Sequence, residues 1–119
     1  MASPECYPFA KVGGLSDVVG ALAKFLAKAG HDVRVFLPLY GCIKLPENTV
    51  TYDNIEVHLG GHQRICRVWK HKSDGVVYYF IEYQQYFGFP AIYVNGDYNG
   101  ERFAFFDKAI LDIPMSTKP

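Results

Sequence analysis

Hydrophobic positions recur at helical spacing in an early stretch of the chain. Between residues 16 and 29 the apolar residues lie three and four positions apart, which predicts an amphipathic helix. The predicted apolar face consists of Leu15, Val18, Val19, Leu22, Leu26 and Ala29. We expect Ser16 to cap this helix and Gly30 to end it in a left-handed conformation. Gly20 costs about 1 kcal/mol of helix propensity and therefore indicates close packing against a sheet.

A short strand is predicted directly after this helix. Residues 33–37 are nearly all apolar, as expected of a parallel strand that is covered on both faces. A helix followed at once by such a strand forms the second half of a βαβ unit. The first strand should precede Ser3, where only Met1 and Ala2 remain. Either the chain lacks that strand or the sequence is a piece of a longer protein, and we expect the second.

The middle of the chain alternates between apolar and polar residues. This pattern predicts strands at residues 55–59, 64–70 and 76–81, separated by turns at residues 60–61 and 73–75. Together they favour antiparallel strands inserted beside a parallel sheet. Residues 88–100 are predicted as loop and residues 101–110 as a final helix, which Pro114 and Pro119 would end. The apolar residues of that helix are Phe103, Phe106 and Ile110 on one face, with Phe105 and Ala109 beside it.

Composition narrows the class of protein. The 119 residues carry equal numbers of acidic and basic side chains, and half are hydrophobic, so the chain is neither disordered nor a nucleic-acid binder. No apolar run is long enough to span a bilayer, so we predict no membrane partner. Three cysteines, Cys6, Cys42 and Cys66, are too widely spaced for a zinc site and are expected as buried or half-buried thiols in a reducing cytosol. His58 and His62 flank a predicted turn, so no metal is predicted.

The candidate chemistry lies where the first helix begins. Lys11 and the pair Gly13-Gly14 directly precede it. The first amides of a helix lack intrahelical partners and carry the positive end of the helix dipole. Glycines without a Cβ would let a phosphate approach these amides, and the lysine ammonium could reach the same anion. The constellation therefore suits a diphosphate. A tight turn beside a solvated lysine is the alternative.

Several separated motifs resemble the bacterial glycogen synthases and plant starch synthases. The first is "SPECYPFAKVGGLSDVVGAL", which is similar to the family's Ser-Glu-x-x-Pro-x-x-Lys-[Thr/Val]-Gly-Gly-Leu-x-Asp-Val segment, although Pro4 intrudes before Glu5. It is followed by "GHDVRVFLPLY", then by "YYFIEYQQYFGFPAIY" and "GDYNGERFAFFDKAIL", in the family's order. The resemblance covers nearly the whole chain.

The resemblance implies an α/β fold, a partial Rossmann-like N-terminal domain of a GT-B glycosyltransferase with an antiparallel β-hairpin region. Residues 1–119 would be an incomplete N-terminal domain without the C-terminal nucleotide-binding domain. Such enzymes transfer glucose from ADP-glucose to the non-reducing 4-OH of an α-1,4-glucan (glycogen or starch) with retention, and no cofactor is expected. The implied compartment is the cytoplasm, or the plastid in a plant or alga.

The resemblance also assigns candidate substrate-binding residues. Lys11 matches the lysine that contacts the donor diphosphate, and Gly13 and Gly14 match the backbone near the transferred glucose and phosphate. Asp17 and Glu5 match acidic residues at or near the donor site. A valine at Gly14 is expected to block the phosphate and to resist any left-handed backbone.

The remaining expectations concern the glucan and the chain as a whole. Tyr93 lies where the family places a tyrosine toward the glucan cleft, and the catalytic glutamate belongs to the missing domain. The chain alone is therefore expected not to transfer glucose, since one wall of a cleft cannot position both reactants. It is also expected to fold poorly or to self-associate. A non-catalytic module that binds glucan or phosphate, or a structural partner of another chain, are the other interpretations.

Overall fold

The computed structural model describes residues 1–89, 92–93 and 98–113. Three helices and four strands occur in these ranges. They are α1 (Gly14–Lys28), β1 (Val33–Pro38), β2 (Val50–Leu59), β3 (His62–Ser73), β4 (Val76–Glu82), α2 (Gln84–Phe87) and α3 (Tyr98–Asp112). In this part of the chain, no helix is long and apolar enough to cross a bilayer.

The four strands form one mixed sheet in the order β1-β4-β3-β2. Strand β4 runs parallel to β1 and antiparallel to β3, which in turn is antiparallel to β2. Residues 76–81 of β4 are all buried, because β4 lies between β1 and β3 and other segments cover both of its faces. The prediction of antiparallel strands beside a parallel sheet is confirmed.

Both predicted hairpin turns are confirmed, and each has its central residues in the left-handed region. Gly60 and Gly61 have φ of +59° and +78°, and Asp74 and Gly75 have φ of +53° and +78°. Two consecutive positive φ angles match the right-handed twist of the flanking strands, which is why glycine and aspartate are used here. These turns fix the register of β2 against β3 and of β3 against β4.

The first residues of the chain occupy the place of the predicted first strand. Ala2 forms a parallel bridge with Phe36 of β1. The Ser3 amide donates to the Phe36 carbonyl at 3.1 Å, and the Phe36 amide donates to the Met1 carbonyl at 2.8 Å. Residues 1–3, α1 and β1 therefore form the predicted βαβ arrangement, in which residues 1–3 are a very short first strand.

The start of α1 differs from the prediction. Its N-cap is Gly13, and Ser16 lies inside the first turn with its side chain fully buried, so Ser16 does not cap the helix. Gly30 follows the helix with φ of +94°, as predicted. A Cβ at Gly20 would lie 2.9 Å from the Tyr7 carbonyl oxygen. The predicted close packing is therefore real, but its partner is the crossing segment at Tyr7 and not the sheet.

The buried face of α1 also differs from the prediction. Small residues are buried instead of large ones, and the buried set is Ser16, Val19, Gly20 and Ala23. Leu15, Val18 and Leu22 are 45%, 61% and 43% exposed. Small side chains let the helix axis approach β1 and β4 and the Tyr7 segment closely. Hydrophobic spacing alone gives no weight to this close approach. It therefore placed Leu15, Val18 and Leu22 on the buried face, whereas Val19 and Leu26 of the predicted face do pack toward the core.

The two C-terminal helices differ from the prediction. Helix α2 lies between the predicted strand and the predicted loop, in residues for which no element was predicted, and α3 starts at Tyr98, inside the predicted loop of residues 88–100. Phe105, Phe106 and Ala109 are buried, whereas Phe103 and Ile110 are half-buried, so the buried face is rotated from the predicted one. Pro114 and Pro119, the predicted helix stops, lie outside the described residues.

Candidate functional site

The loops that follow residues 1–3, β1 and β4 meet at one edge of the sheet. These three segments run parallel, so their carboxyl ends lie at the same edge, where open α/β sheets bind their ligands. A cavity of about 470 Å³ opens there. Its lining comes from all three loops: Phe9, Ala10, Lys11, Val12, Cys42, Ile92 and Tyr93.

Lys11 and Asp17 form an ion pair at the start of α1. The Lys11 Nζ donates to the two carboxylate oxygens of Asp17 at 2.9 and 3.1 Å. Both side chains are about half exposed, 51% and 54%, so the pair is open to exchange with solvent or a ligand. The contact holds the ammonium over the first turn of α1, which is where an anion bound to the helix amides would lie.

The Gly13-Gly14 pair faces open space. Around a Cβ placed on either glycine, no described residue lies within 4 Å other than the adjoining residues of the chain and the local helix backbone. Gly13 has an extended backbone with φ of −146°, and the described glycines with positive φ are Gly30, Gly60, Gly61 and Gly75. Neither glycine of the pair has a left-handed backbone, so a valine at Gly14 would meet no strain of that kind. Neither the backbone conformation nor the packing requires glycine at these two positions. A ligand that approaches the backbone closely would explain why glycine is used.

Glu5 is buried beneath this turn. It is 4% exposed, and its Oε1 accepts the amides of Val12 at 3.1 Å and of Gly13 at 3.0 Å. Desolvation by burial opposes ionisation, but the hydrogen bonds from Gly13, Tyr93, Val12 and Ser16 outweigh it and lower the pKa of Glu5. The carboxylate is thus ionised at neutral pH and is occupied by the protein's own amides.

Tyr93 completes this arrangement from the far end of the chain. Its hydroxyl donates to Oε2 of Glu5 at 2.7 Å, across 88 residues of sequence. Burial, followed by the hydrogen bond to Glu5, raises the pKa of Tyr93 to about 12, so its proton stays in place. The ring is 40% exposed and lines the cavity. All six predicted site residues are therefore brought together.

Arg102 and Tyr40 support the site, and sequence reasoning gave neither a role. Arg102 is fully buried, and its guanidinium donates to the carbonyls of Tyr86 and of Ile92, the neighbour of Tyr93. Tyr40 donates to the Pro4 carbonyl at 2.6 Å, next to Glu5. An arginine within an aromatic-rich segment could have indicated this role. A charged side chain in such surroundings is buried only where several hydrogen-bond partners satisfy it.

The cysteines are free thiols with two different environments. Cys6 and Cys66 are buried, and burial raises their pKa values to about 11 and about 12. Cys42 is exposed at the rim of the cavity, which corrects the expectation that all three are buried or half-buried.

Comparison with known proteins identifies the family. Residues 1–118 match the family described as the starch synthase catalytic domain. Glycogen synthases of Bacillus cereus (strain B4264) and Anoxybacillus flavithermus are 44% and 41% identical over 113 and 110 residues. These alignments cover 93% and 91% of this chain, but 24% and 22% of the two relatives.

A solved structure agrees. The catalytic domain of starch synthase IV from Arabidopsis thaliana, bound to ADP and acarbose, superposes with a TM-score of 0.80 and 32% identity, over 92% of this chain and 23% of that one. The fold is thus the α/β fold of part of a GT-B glycosyltransferase. The chain belongs to the starch synthase catalytic domain family, and it spans about a quarter of the length of its curated relatives.

Proposed function

We propose that this chain supplies the donor-diphosphate wall of a retaining glucosyltransferase that moves glucose from ADP-glucose to the non-reducing end of an α-1,4-glucan. One observation carries the proposal. Two glycines whose missing side chains face open space stand at the start of a 15-residue helix, close to a lysine that is half exposed. The turn lies at the carboxyl edge of the parallel strands, which is the ordinary place for a ligand in such folds.

The chemistry follows from these groups. Departure of ADP places negative charge on the β-phosphate oxygens as the glycosidic bond of the donor breaks. The Lys11 ammonium and the positive end of α1 would stabilise that charge as it develops, which lowers the barrier. Lys11 must leave Asp17 or share its charge to do so, and the exposure of the pair makes that exchange inexpensive.

Support also comes from the relatives. The matched bacterial proteins are named glycogen synthase, and the plant structure contains ADP and acarbose. Tyr93, which lines the cavity, would lie on the glucan side of the transferred glucose. Residues outside this chain would supply the adenosine site and the catalytic glutamate.

Binding of ADP to the purified chain tests the proposal. Lys11→Ala removes a charge-assisted contact and should weaken ADP binding about tenfold or more, measured by calorimetry. Lys24→Ala is the matched control, because Lys24 lies on the same helix in an exposed ion pair with Asp74 at 3.7 Å. The proposal fails if both variants bind ADP as the unmodified chain does, or if the unmodified chain shows no ADP binding at millimolar concentration.

Activity can be measured after residues 3–110 are grafted into the Bacillus cereus glycogen synthase. In that protein Lys11→Ala should lower kcat/KM for ADP-glucose about tenfold to a hundredfold and leave the KM for glucan nearly unchanged. Unchanged ADP-glucose kinetics in a folded graft would make Lys11 a solvated turn residue.

A further inference from the structure

We propose that a second cavity, on the antiparallel side of the sheet, binds a neutral pyranose sugar such as glucose. This cavity has a volume of about 340 Å³ and lies beside the end of β4, at Glu82 and Gln84. Its volume is at the lower end of the range of small-molecule sites. It shares no lining residue with the cavity beside Lys11, so it is a separate site.

The strand register places three polar side chains in one row across this cavity. Arg67 of β3 lies directly opposite Asn54 of β2 and directly opposite Glu82 of β4. Directly opposed residues of antiparallel strands have their side chains on the same face, so an amide, a guanidinium and a carboxylate follow one another over about 10 Å. All three line the cavity, and a ligand there therefore meets both hydrogen-bond donors and acceptors.

Arg67 and Glu82 do not form an ion pair, although opposite charges directly across strands ordinarily attract. The Glu82 carboxylate instead accepts the Trp69 indole N–H at 2.9 Å and the Gln84 side-chain amide at 3.4 Å. The Arg67 guanidinium lies over the Trp69 ring, 5.5 Å from its centroid, and no described residue accepts a hydrogen bond from it. The carboxylate is thus held in one orientation, while the five N–H donors of the guanidinium remain available to a ligand.

Charge indicates the class of ligand. One guanidinium beside one carboxylate leaves no net charge, which favours neither a phosphate nor a metal cation. A neutral ligand with several hydroxyls fits better, because each hydroxyl both donates and accepts.

An apolar side chain completes the cavity. Ile65 lies two residues before Arg67, on the same face of β3, lines the cavity and is 64% exposed. It offers a surface for C–H groups, whose burial is favourable. A pyranose ring carries hydroxyls at its rim and C–H groups on its faces, so it matches both parts of the cavity.

Trp69 provides a specific signal for the test. It is the single tryptophan of the chain, and its indole N–H bonds Glu82, so its ¹⁵N NMR signal and its fluorescence report on this site. Maltose is the probe, because the proposed function brings α-1,4-linked glucose to the protein, and the inference rests on that function only for this choice.

We expect maltose to shift the indole signal of the unmodified chain with a dissociation constant on the order of 1 mM, since an open cavity of this size contacts about one sugar ring. No shift at about 50 mM maltose would overturn the inference. The fluorescence of the same indole reports the titration in a self-associated sample.

Arg67→Ala removes charge-assisted hydrogen bonds and should weaken maltose binding about tenfold or more. Arg67→Lys keeps the charge without the planar fork and should recover little of that loss. Arg64→Ala is the matched control, because Arg64 is on the same strand but on the other face, 5.3 Å from the centroid of the Tyr86 ring. Undiminished binding by Arg67→Ala, or an equal loss in the control, would refute the assignment of this cavity.

Inorganic phosphate tests the alternative of an anion site. It should leave the indole signal unchanged. If phosphate shifts this signal in the unmodified chain and in Arg67→Lys, while maltose does not, the cavity binds anions and the inference is wrong.

Maltoheptaose distinguishes a free sugar from a glucan chain as the source of the pyranose. An affinity equal to that of maltose supports binding of a free sugar or a chain end. An affinity about threefold or more higher supports binding of interior units, because several units of one chain then compete for the site.

ADP, added to the same sample, separates this inference from the proposed function. ADP should leave the Trp69 indole signal unchanged. Binding of ADP without binding of maltose would overturn the sugar site and leave the proposed function intact, whereas Arg67-dependent binding of maltose without binding of ADP would support the sugar site and contradict the proposed function.

Discussion

At the scale of single residues, a substitution at Gly14 should affect ligand binding without reducing the stability of the fold. An added Cβ would meet no described residue within 4 Å, and alanine is favoured over glycine in a helix by up to about 1 kcal/mol. Gly14→Ala should therefore leave the free energy of unfolding unchanged or raise it, while it weakens ADP binding by crowding the phosphate. Gly100→Ala, at an equally open position in α3, should stabilise without affecting ADP. Urea denaturation measures the free energy of unfolding, and calorimetry measures ADP affinity. A Gly14→Ala variant that binds ADP normally would contradict the proposal that Gly14 admits the phosphate.

The sequence predicts which residues form the candidate site better than it predicts the contacts between them. Lys11 and the glycine pair follow from their position before an amphipathic helix, since every helix start offers the same unpaired amides. The family motif adds Glu5, Asp17 and Tyr93. The bond from Tyr93 to Glu5, by contrast, joins positions 88 residues apart. No local pattern encodes such a contact, because it depends on tertiary packing that brings the two ends of the chain together.

At the scale of elements, strands were predicted more accurately than helix faces. Alternation along β2 and the turns at Gly60 and Asp74 determine local geometry directly, because side chains in a strand alternate and the turns need positive φ. Helix α1 was located correctly, but its contacts depend on the crossing of Tyr7 over Gly20. That crossing is a tertiary contact, and the spacing of hydrophobic residues along the sequence cannot predict it.

Arg102 connects α3 to the rest of the molecule. Its fully buried guanidinium bonds the carbonyls of Tyr86 and Ile92 and lies 5.4–5.9 Å from the centroids of four aromatic rings. Arg102→Ala removes both buried hydrogen bonds and opens a cavity. We expect a loss of about 3–5 kcal/mol in the free energy of unfolding, measured by urea denaturation.

Arg102→Lys keeps the charge but cannot bond both carbonyls through a planar fork, so it should recover only part of that loss. Lys108→Ala is a control on the same helix, where the ion pair with Asp112 is more exposed and worth less than about 1 kcal/mol. If Arg102→Ala were no more harmful than the control, α3 would be held by its apolar contacts instead.

At the scale of the whole molecule, the exposed side of α1 carries more large apolar side chains than an ordinary surface helix. Leu15, Val18, Leu22 and Phe25 are 43–68% exposed and recur three and four residues apart, so they form one apolar stripe along the helix. A stripe with this spacing matches the seam by which helices pack together. Water therefore disfavours it, and a polypeptide of these 119 residues can cover it by pairing with a second copy.

We accordingly expect the purified chain to self-associate, with an apparent mass that rises with concentration in size-exclusion chromatography with light scattering. The double variant Leu22→Gln and Phe25→Gln should shift it toward the monomer with little loss of stability, because both side chains are already largely in water. Leu111→Gln is the matched control, since Leu111 is 80% exposed on α3 and lies outside the stripe. A monodisperse monomer at every concentration would show that the stripe does not drive association. A control that dissociates the chain as well as the double variant does would show that general surface hydrophobicity, and not α1, is responsible.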